Sequence, residues 1–587
     1  MTVTGSRAAP SGGPATTDPV PGRARRYVGP VTDSWDRAAQ EIVDRLPGQP
    51  WGHTDVSVYE TARLVSLAPW LTGHRARVRH LLASQQPDGS WGGPGGYALV
   101  PTLSAVEALL GVAAVPTAVR STAAPLPEAT QLPTAKSLPT ATRLPDATMR
   151  GLTAAHRILA ATTGGTLPDT PAADLIVPAL VDRINQRLRH RPGPPANDPA
   201  PDALLRLRGE LDSGRLDAVR RLSAGGRPVP TKLLHAYETF AHQAAPQSRP
   251  AVAPVPAHPL AGSGTGQRAG TVGGSPAATA AWLATIDPIR TEVDPAPARH
   301  YLETVVREHH GPVPCATPVA VFERAWALTT LLRADVAMLV PPELPGSLRA
   351  ALTPAGAATG AGLPPDADTT AVVLHCLALL GQPADPAVLL GFRAGDHIAT
   401  WPGEDGASVT TNAHALDTLQ AVGGGRRAAD LDVLRRSIST WLCDQQQPDG
   451  SWQDRWHASP YYATAACALA LSAAGTGARP AAAVLRAVDW VLRTQRPDGS
   501  WGCWHGTAEE TAYAVRILLA TTDPPSDRML RAARRGAAHL VPSTADQGPA
   551  LWHDKDLYQP ITVVAAEIVA AGKLAHRARV TGVNRHA

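Results

Sequence analysis

The chain has 587 residues, 44% of them hydrophobic, and a formal net charge of only +4. That length exceeds one ordinary domain and is enough for two or three cores, while so small and dispersed a charge leaves no footprint for nucleic acid. No membrane span is expected, because no run approaches the roughly 20 apolar residues a bilayer requires, and no apolar stretch follows Arg23, Arg25 and Arg26 to make a signal sequence. The composition therefore predicts a cytoplasmic protein. Cys315, Cys376, Cys443, Cys467 and Cys503 lie far apart without a Cys-x-x-Cys pair, which argues against structural zinc and for buried reduced thiols.

In chain order, residues 1–30 are rich in Pro, Gly and Ala and cannot bury enough apolar surface to order themselves. From Trp35, WDRAAQEIVDRL puts Ala38, Ile42, Val43 and Leu46 on one helical face. Across 113–150 the units LPEATQ, LPTAKS, LPTATR and LPDATM repeat with proline second in each, so the segment is expected to be a linker-like insertion, neither helix nor strand. Further proline-rich breaks cover 191–202 and 244–275, with helical patterns in DLIVPALVDRINQRL and TKLLHAYETFAHQ between them. Beyond Ala277, apolar helices alternate with Gly- and Pro-rich turns: AATAAWLATI, FERAWALTTLL, TAVVLHCLALLG, TNAHALDTLQAV, YYATAACALALSAAG, AAAVLRAVDWVLRTQ and ETAYAVRILLAT. Strand alternation is absent, so the fold is all-α.

Three near-identical turns end at Trp91, Trp452 and Trp501, as QQPDGSW, QQPDGSW and QRPDGSW. Proline and Asp-Gly set a tight turn after one helix, and the tryptophan can fold over the next; a repeated tryptophan in a repeated turn is a structural device. Such turns favour an α/α barrel over a simple bundle.

The chemistry-bearing stretch is LPPDADTTAVVL, where Asp366 and Asp368 stand two residues apart. A buried carboxyl has a raised pKa, and a neighbouring carboxylate discourages both from ionising, so such a pair can keep an acid protonated. The same aspartates could simply cap the helix that follows. Together with the tryptophan turns, the pair resembles the class II terpene cyclases, relatives of squalene-hopene cyclases, which protonate an alkene with an Asp-x-Asp-Asp acid. SVYETA, from Ser57 to Ala62, looks like their Ser-x-Tyr-Asp-Thr-Ala segment with Glu60 in the aspartate position; LIVPALV, SPAATAAWL, FERAWAL and TNAHAL match in order. WQDRWHASPYYAT (Trp452 to Thr464), GTAEETAYAV (Gly506 to Val515) and LWHDKDLYQP (Leu551 to Pro560) separate bacterial prenyl diphosphate cyclases from squalene cyclases.

The resemblance implies two α/α barrel domains, β and γ: the first helix (31–50) in β, γ inserted at 51–290, and β completed by 291–587 with the acid motif. It implies Asp368 as general acid, oriented by Asp366. Thr369 stands where most relatives carry a third aspartate and supplies no charge. The Asp-x-Asp-Thr-Thr form resembles drimenyl diphosphate synthases, so farnesyl diphosphate to drimenyl diphosphate is the expected reaction, with geranylgeranyl diphosphate to a copalyl- or halimane-type product as the alternative. Trp326, Trp401, Tyr461, Tyr462, Trp504 and Tyr513 are candidates to stabilise the carbocation through their ring faces, although each could equally be core. Asn412 and His414 could hold a water or accept the last proton. Lys555 is a candidate diphosphate partner or a solvated lysine. The family requires Mg2+, for which Glu60 and Asp174 are candidate ligands. No Asp-Asp-x-x-Asp segment is present to ionise a diphosphate, so it should survive. Two other readings remain at this point: a protein prenyltransferase β subunit, which needs an Asp, Cys and His zinc set and a separate α subunit, and a non-catalytic α/α barrel that only binds.

Overall fold

The computed structural model describes residues 33–114, 140–162, 168–190, 204–207, 211–257, 269–286, 293–422, 427–475, 477–542 and 548–584. The expected N-terminal tail and the first units of the hexapeptide repeat lie outside these residues.

Each PDGSW turn closes with the same bonds. After the helix His74–Ala83, Gly89 takes a φ of 88°. The Trp91 indole N–H then donates to the Leu81 carbonyl at 2.7 Å, and its amide N–H donates to Thr102 Oγ1 at 3.0 Å on the next helix, Leu99–Ala114. Trp452 repeats this on Leu442 and Thr464, and Trp501 on Val491 and Thr511. The indole N–H thus satisfies an orphan C-terminal carbonyl of the preceding helix, while the ring edge of Trp91 reaches Gly151 beside Val106, and that of Trp501 reaches Gly536 beside Val515, on the following helices. Gln85, Gln446 and Gln495 each donate both to the turn glycine's carbonyl and to a carbonyl of a helix further on, of Ala147, Ala483 and Ala532. A Cβ on Gly450 would stand 2.5 Å from the Arg486 carbonyl oxygen, so only glycine fits.

The last repeat unit departs from expectation. LPDATM lies inside the helix Thr140–Ala161, with Pro145 close to its start, and Leu144, Ala147 and Thr148 are buried. A proline in the early turns removes few helical hydrogen bonds, and burial against Leu99–Ala114 outweighs that loss. TKLLHAYETFAHQ is a 3₁₀ segment over Thr231–Thr239, not an α-helix, with Ala236 off helical torsions.

The molecule is an all-α double barrel; among the described residues the only strands are three two-residue ladders. One core gathers Trp91, Leu103, Val106, Ile176 and Leu180 around the helix Leu99–Ala114. The stretch Gly95–Ala113 is apolar enough in length and composition to cross a bilayer, contrary to the reading of the sequence, but it is mostly buried inside this core. The other half packs around Trp326, Val373, Val515 and Val564, continued by Leu374, Leu416, Ile438 and Trp452. The helix Ser34–Arg45 joins this second half: it lies on Ile561–Asn584, and Lys573 binds both its N-cap Asp33 at 3.0 Å and Asp36 at 2.7 Å. Ala296–Glu308, beyond the expected boundary at 290, packs against Pro276–Ala284 and shares a core with Trp51 and Leu64. Of the cysteines, four are buried and Cys503 is exposed, against the expectation for it.

Candidate active site

Asp366 is the N-cap of the helix Ala367–Leu379, accepting from the Thr369 N–H at 2.6 Å and the Thr359 hydroxyl at 3.2 Å. Burial pushes its carboxyl up to about 7; the Thr369 N–H pulls down and the Asp368 charge pushes up again. Asp368, two residues on, leaves the cap. Its Oδ1 lies 2.6 Å from Nδ1 of His414, on the adjacent helix Val409–Ala421. His414 is raised above the ordinary histidine value: burial lowers it, and the Asp368 carboxylate more than compensates. The partner expected in Asp366 is therefore His414. The Thr369 hydroxyl meets Thr359 at 3.0 Å. Asn412 is not brought to the acid: its amide is bound to the Ile398 backbone on both sides and to the Ser408 carbonyl, so it braces the loop before its helix.

Both aspartates line a cavity of about 1080 Å3 between the two halves, shared with Phe322, Trp326, Trp401, Tyr462 and Trp552. Phe322 and Trp326 pack at 4.5 Å, Tyr462 and Trp552 at 4.7 Å, and Trp326 stands edge-on to His414 at 5.3 Å. Tyr461 is not part of this wall. Neighbouring helical residues point about 100° apart, so Tyr461 packs on Trp490 at 4.5 Å instead. Trp504 is likewise displaced, meeting Tyr97 from the first half at 5.8 Å. Tyr513 stands behind Tyr462 at 5.4 Å and donates to Glu509.

Lys555 is fully buried and is no free phosphate ligand: Nζ lies 2.6 Å from Glu60, 3.0 Å from Glu238 and 2.8 Å from Ser275 Oγ. Burial alone would lower its ammonium, but Glu238 and Glu60 hold it above the ordinary lysine range. Glu60 is equally committed, its second oxygen accepting from the Ala277 N–H at 2.6 Å at the start of Pro276–Ala284, which removes it as a magnesium ligand. Asp174 does line the cavity, at its exposed rim, where the Arg215 guanidinium bridges it to Asp405 at 3.2 and 2.7 Å. Among the described residues no group of three or more His, Cys, Asp or Glu could cage a metal. Two carboxylates already sharing one cation nevertheless fit an ion such as Mg2+, which commonly takes one or two carboxylates and completes its shell with phosphate and water.

The sequence reading missed Phe322, Trp552, His235 and Asp554. Phe322 is four residues before Trp326 and so on the same helical face, a signal available in FERAWAL. His235 and Asp554, 2.8 Å apart across the two halves at the cavity wall, have no sequence signal, since 319 residues separate them.

The squalene-hopene cyclase C-terminal domain family matches residues 403–559. The ent-copalyl diphosphate synthase of Streptomyces sp. (strain KO-3988) is 40% identical over 94% of this chain and 98% of its own. The labda-7,13-dienyl diphosphate synthase of Streptomyces clavuligerus is 40% identical over 91% and 92% of the two chains. Among solved structures, the ent-copalyl diphosphate synthase from Streptomyces platensis has a TM-score of 0.77 at 40% identity, covering 93% of this chain and 100% of that one. These relatives carry copalyl and labdadienyl names, against the drimenyl likeness read from Asp366 to Thr370.

Proposed function

The chain belongs to the class II terpene cyclases, and from that premise we propose that it cyclises geranylgeranyl diphosphate to a bicyclic, copalyl-type diphosphate. The observation that carries this reading is Asp368, backed by His414, on a cavity wall that it shares with Phe322, Trp326, Tyr462 and Trp552. The terminal alkene takes the proton from Asp368: the carboxyl O–H breaks, a C–H bond forms from the π electrons, the cation left on the neighbouring carbon is attacked by the next alkene, and the bicyclic cation finally loses a C–H proton to water while Asp368 regains one from solvent, so that the product is an isomer of the substrate. His414, donating to Oδ1, stabilises the carboxylate that remains. Phe322, Trp326, Tyr462 and Trp552 offer ring faces, about 0.5–2 kcal/mol each by cation–π attraction, and no nucleophile to trap the cation.

Arg215, Lys232 and Arg455 line the cavity as cations for the diphosphate. Asp174 and Asp405 are the carboxylates that would hold magnesium, whose chemistry there is to neutralise diphosphate charge. The absence of an Asp-Asp-x-x-Asp segment supports retention of the diphosphate. The copalyl and labdadienyl relatives favour the twenty-carbon substrate over farnesyl diphosphate. One isoprenyl unit is about five carbons, and at roughly 0.8 kcal/mol per buried CH₂ a pocket shaped for the longer chain discriminates by a few kcal/mol. Equimolar geranylgeranyl and farnesyl diphosphates with magnesium, followed by phosphatase and product NMR, test the reading. A bicyclic twenty-carbon alcohol is expected. Preferred consumption of farnesyl diphosphate, or inorganic diphosphate released in step with cyclisation, would overturn it.

A further inference from the structure

Glu509, on the helix Ala508–Ala520, is 2% exposed and lies one layer behind the aromatic wall. Three donors converge on its Oε1: the Trp552 indole N–H at 2.9 Å, the Tyr513 hydroxyl at 2.9 Å and His457 Nε2 at 3.1 Å. The bonds of His457 set which ring nitrogen donates. The Ser459 N–H points at Nδ1 at 3.0 Å, closer than the 3.3 Å to that residue's carbonyl, so Nδ1 accepts and the ring proton sits on Nε2. No Lys or Arg pairs with Glu509 among the described residues, and its Oε2 has no partner. Convergence of donors on one oxygen is the pattern of an ionised carboxylate. Two other buried acids of this half have a cation, Glu567 with Arg516 and Asp417 with Arg333, whereas Glu510, next in the chain, accepts only from Ser459, Cys503 and Thr507. Glu509 differs from Glu510 in that its bonded neighbours are the rings at the cavity: Trp552 lines it, and Tyr513 and His457 back Tyr462 at 5.4 and 4.8 Å.

We propose that Glu509 is a positioning residue for the cyclisation, a fixed negative charge behind Trp552 and Tyr462 that makes this wall the place where the late carbocation rests. It takes no proton and forms no bond. A carboxylate accepting from the indole N–H enriches the ring that faces the cavity, and its field reaches the cation through a dry aromatic layer where screening is weak.

The inference rests on the proposed reaction, so the closing experiment reads the charge separately from turnover. Two geranylgeranyl-length diphosphates are compared by calorimetry, one with a protonated tertiary amine in place of the cationic carbon and one with a neutral isostere. The wild type is expected to prefer the amine by about tenfold, Glu509→Gln to lose most of that preference, and Glu509→Asp to restore part of it. With substrate, Glu509→Gln should lower kcat at little changed KM and divert product towards singly cyclised or early deprotonated species. Equal amine preference in wild type and Glu509→Gln, with both folded, would overturn the proposal. If Glu509→Gln does not fold, Trp552→Phe, which keeps a ring and removes the N–H, should show the same loss in smaller measure, and an undiminished preference there overturns it too. Failure of the wild type to turn over geranylgeranyl diphosphate would count against the proposed reaction and leave the amine comparison standing.

Discussion

Asp366 and Asp368 are separated by a single alanine and differ in every contact. Asp368→Asn keeps the shape of the proposed acid and removes its proton, so cyclisation should fall by at least about 10³-fold, near 4 kcal/mol of barrier, with the circular dichroism spectrum unchanged; activity within tenfold of wild type would remove Asp368 from the role. Asp366→Asn tests something else. A carboxyl raised from an ordinary 3.8 to about 7 binds its proton more tightly in the folded chain, so its contribution to stability is greatest below about pH 4 and is lost as pH rises towards 7. Asparagine preserves the cap and cannot titrate. The variant's melting temperature should fall less steeply between pH 4 and 7 than the wild type's, and an unchanged slope would mean that Asp366 does not carry the shift. The two aspartates were legible because their spacing is local. The His414 contact was not, because it depends on how two helices, 46 residues apart at these positions, come into register.

At the level of elements, the glutamine braces show why the tryptophan turns read so clearly: every bond of the turn itself is local. The longer reach is not. Gln446 and Gln495 each bridge to a carbonyl 37 residues on, whereas Gln85 bridges 62. The brace is kept in the first barrel despite the longer span, and its anchor, Ala147, lies in the stretch read as linker. Removing Leu126–Met149 should therefore unfold the first barrel's edge, and Leu144→Ala alone should cost about 2–4 kcal/mol in denaturant titration, since Leu144 is buried. Gln495→Ala strands the Gly499 and Ala532 carbonyls and should lower stability by about 1–3 kcal/mol without altering product identity. Amphipathic spacing gave the helices of the second half correctly. It failed at Thr231–Thr239, where the 3₁₀ backbone brings His235 to the cavity for its bond with Asp554.

Across the whole molecule, the two barrels meet over buried charge. Lys555 from the second half lies between Glu60 and Glu238 of the first, with Tyr59 donating to Glu238 at 2.6 Å. Lys555→Met would leave two carboxylates without their cation, so a loss of about 3–5 kcal/mol is expected in thermal or chemical denaturation. A phosphate ligand would behave otherwise, raising KM with the melting temperature intact. The sequence offered Lys555 in LWHDKDLYQP as such a ligand because nothing local reveals that a carboxylate 495 residues away is waiting for it. The same triad sets a rule for recombining relatives. A chimaera that takes one barrel from each of two parents inherits Glu60 and Glu238 from one and the lysine from the other, so parents that place their charges differently will bury an imbalance at the seam even when each barrel is sound. Grafting product specificity between such enzymes should therefore move positions 60, 238 and 555 as one heritable unit.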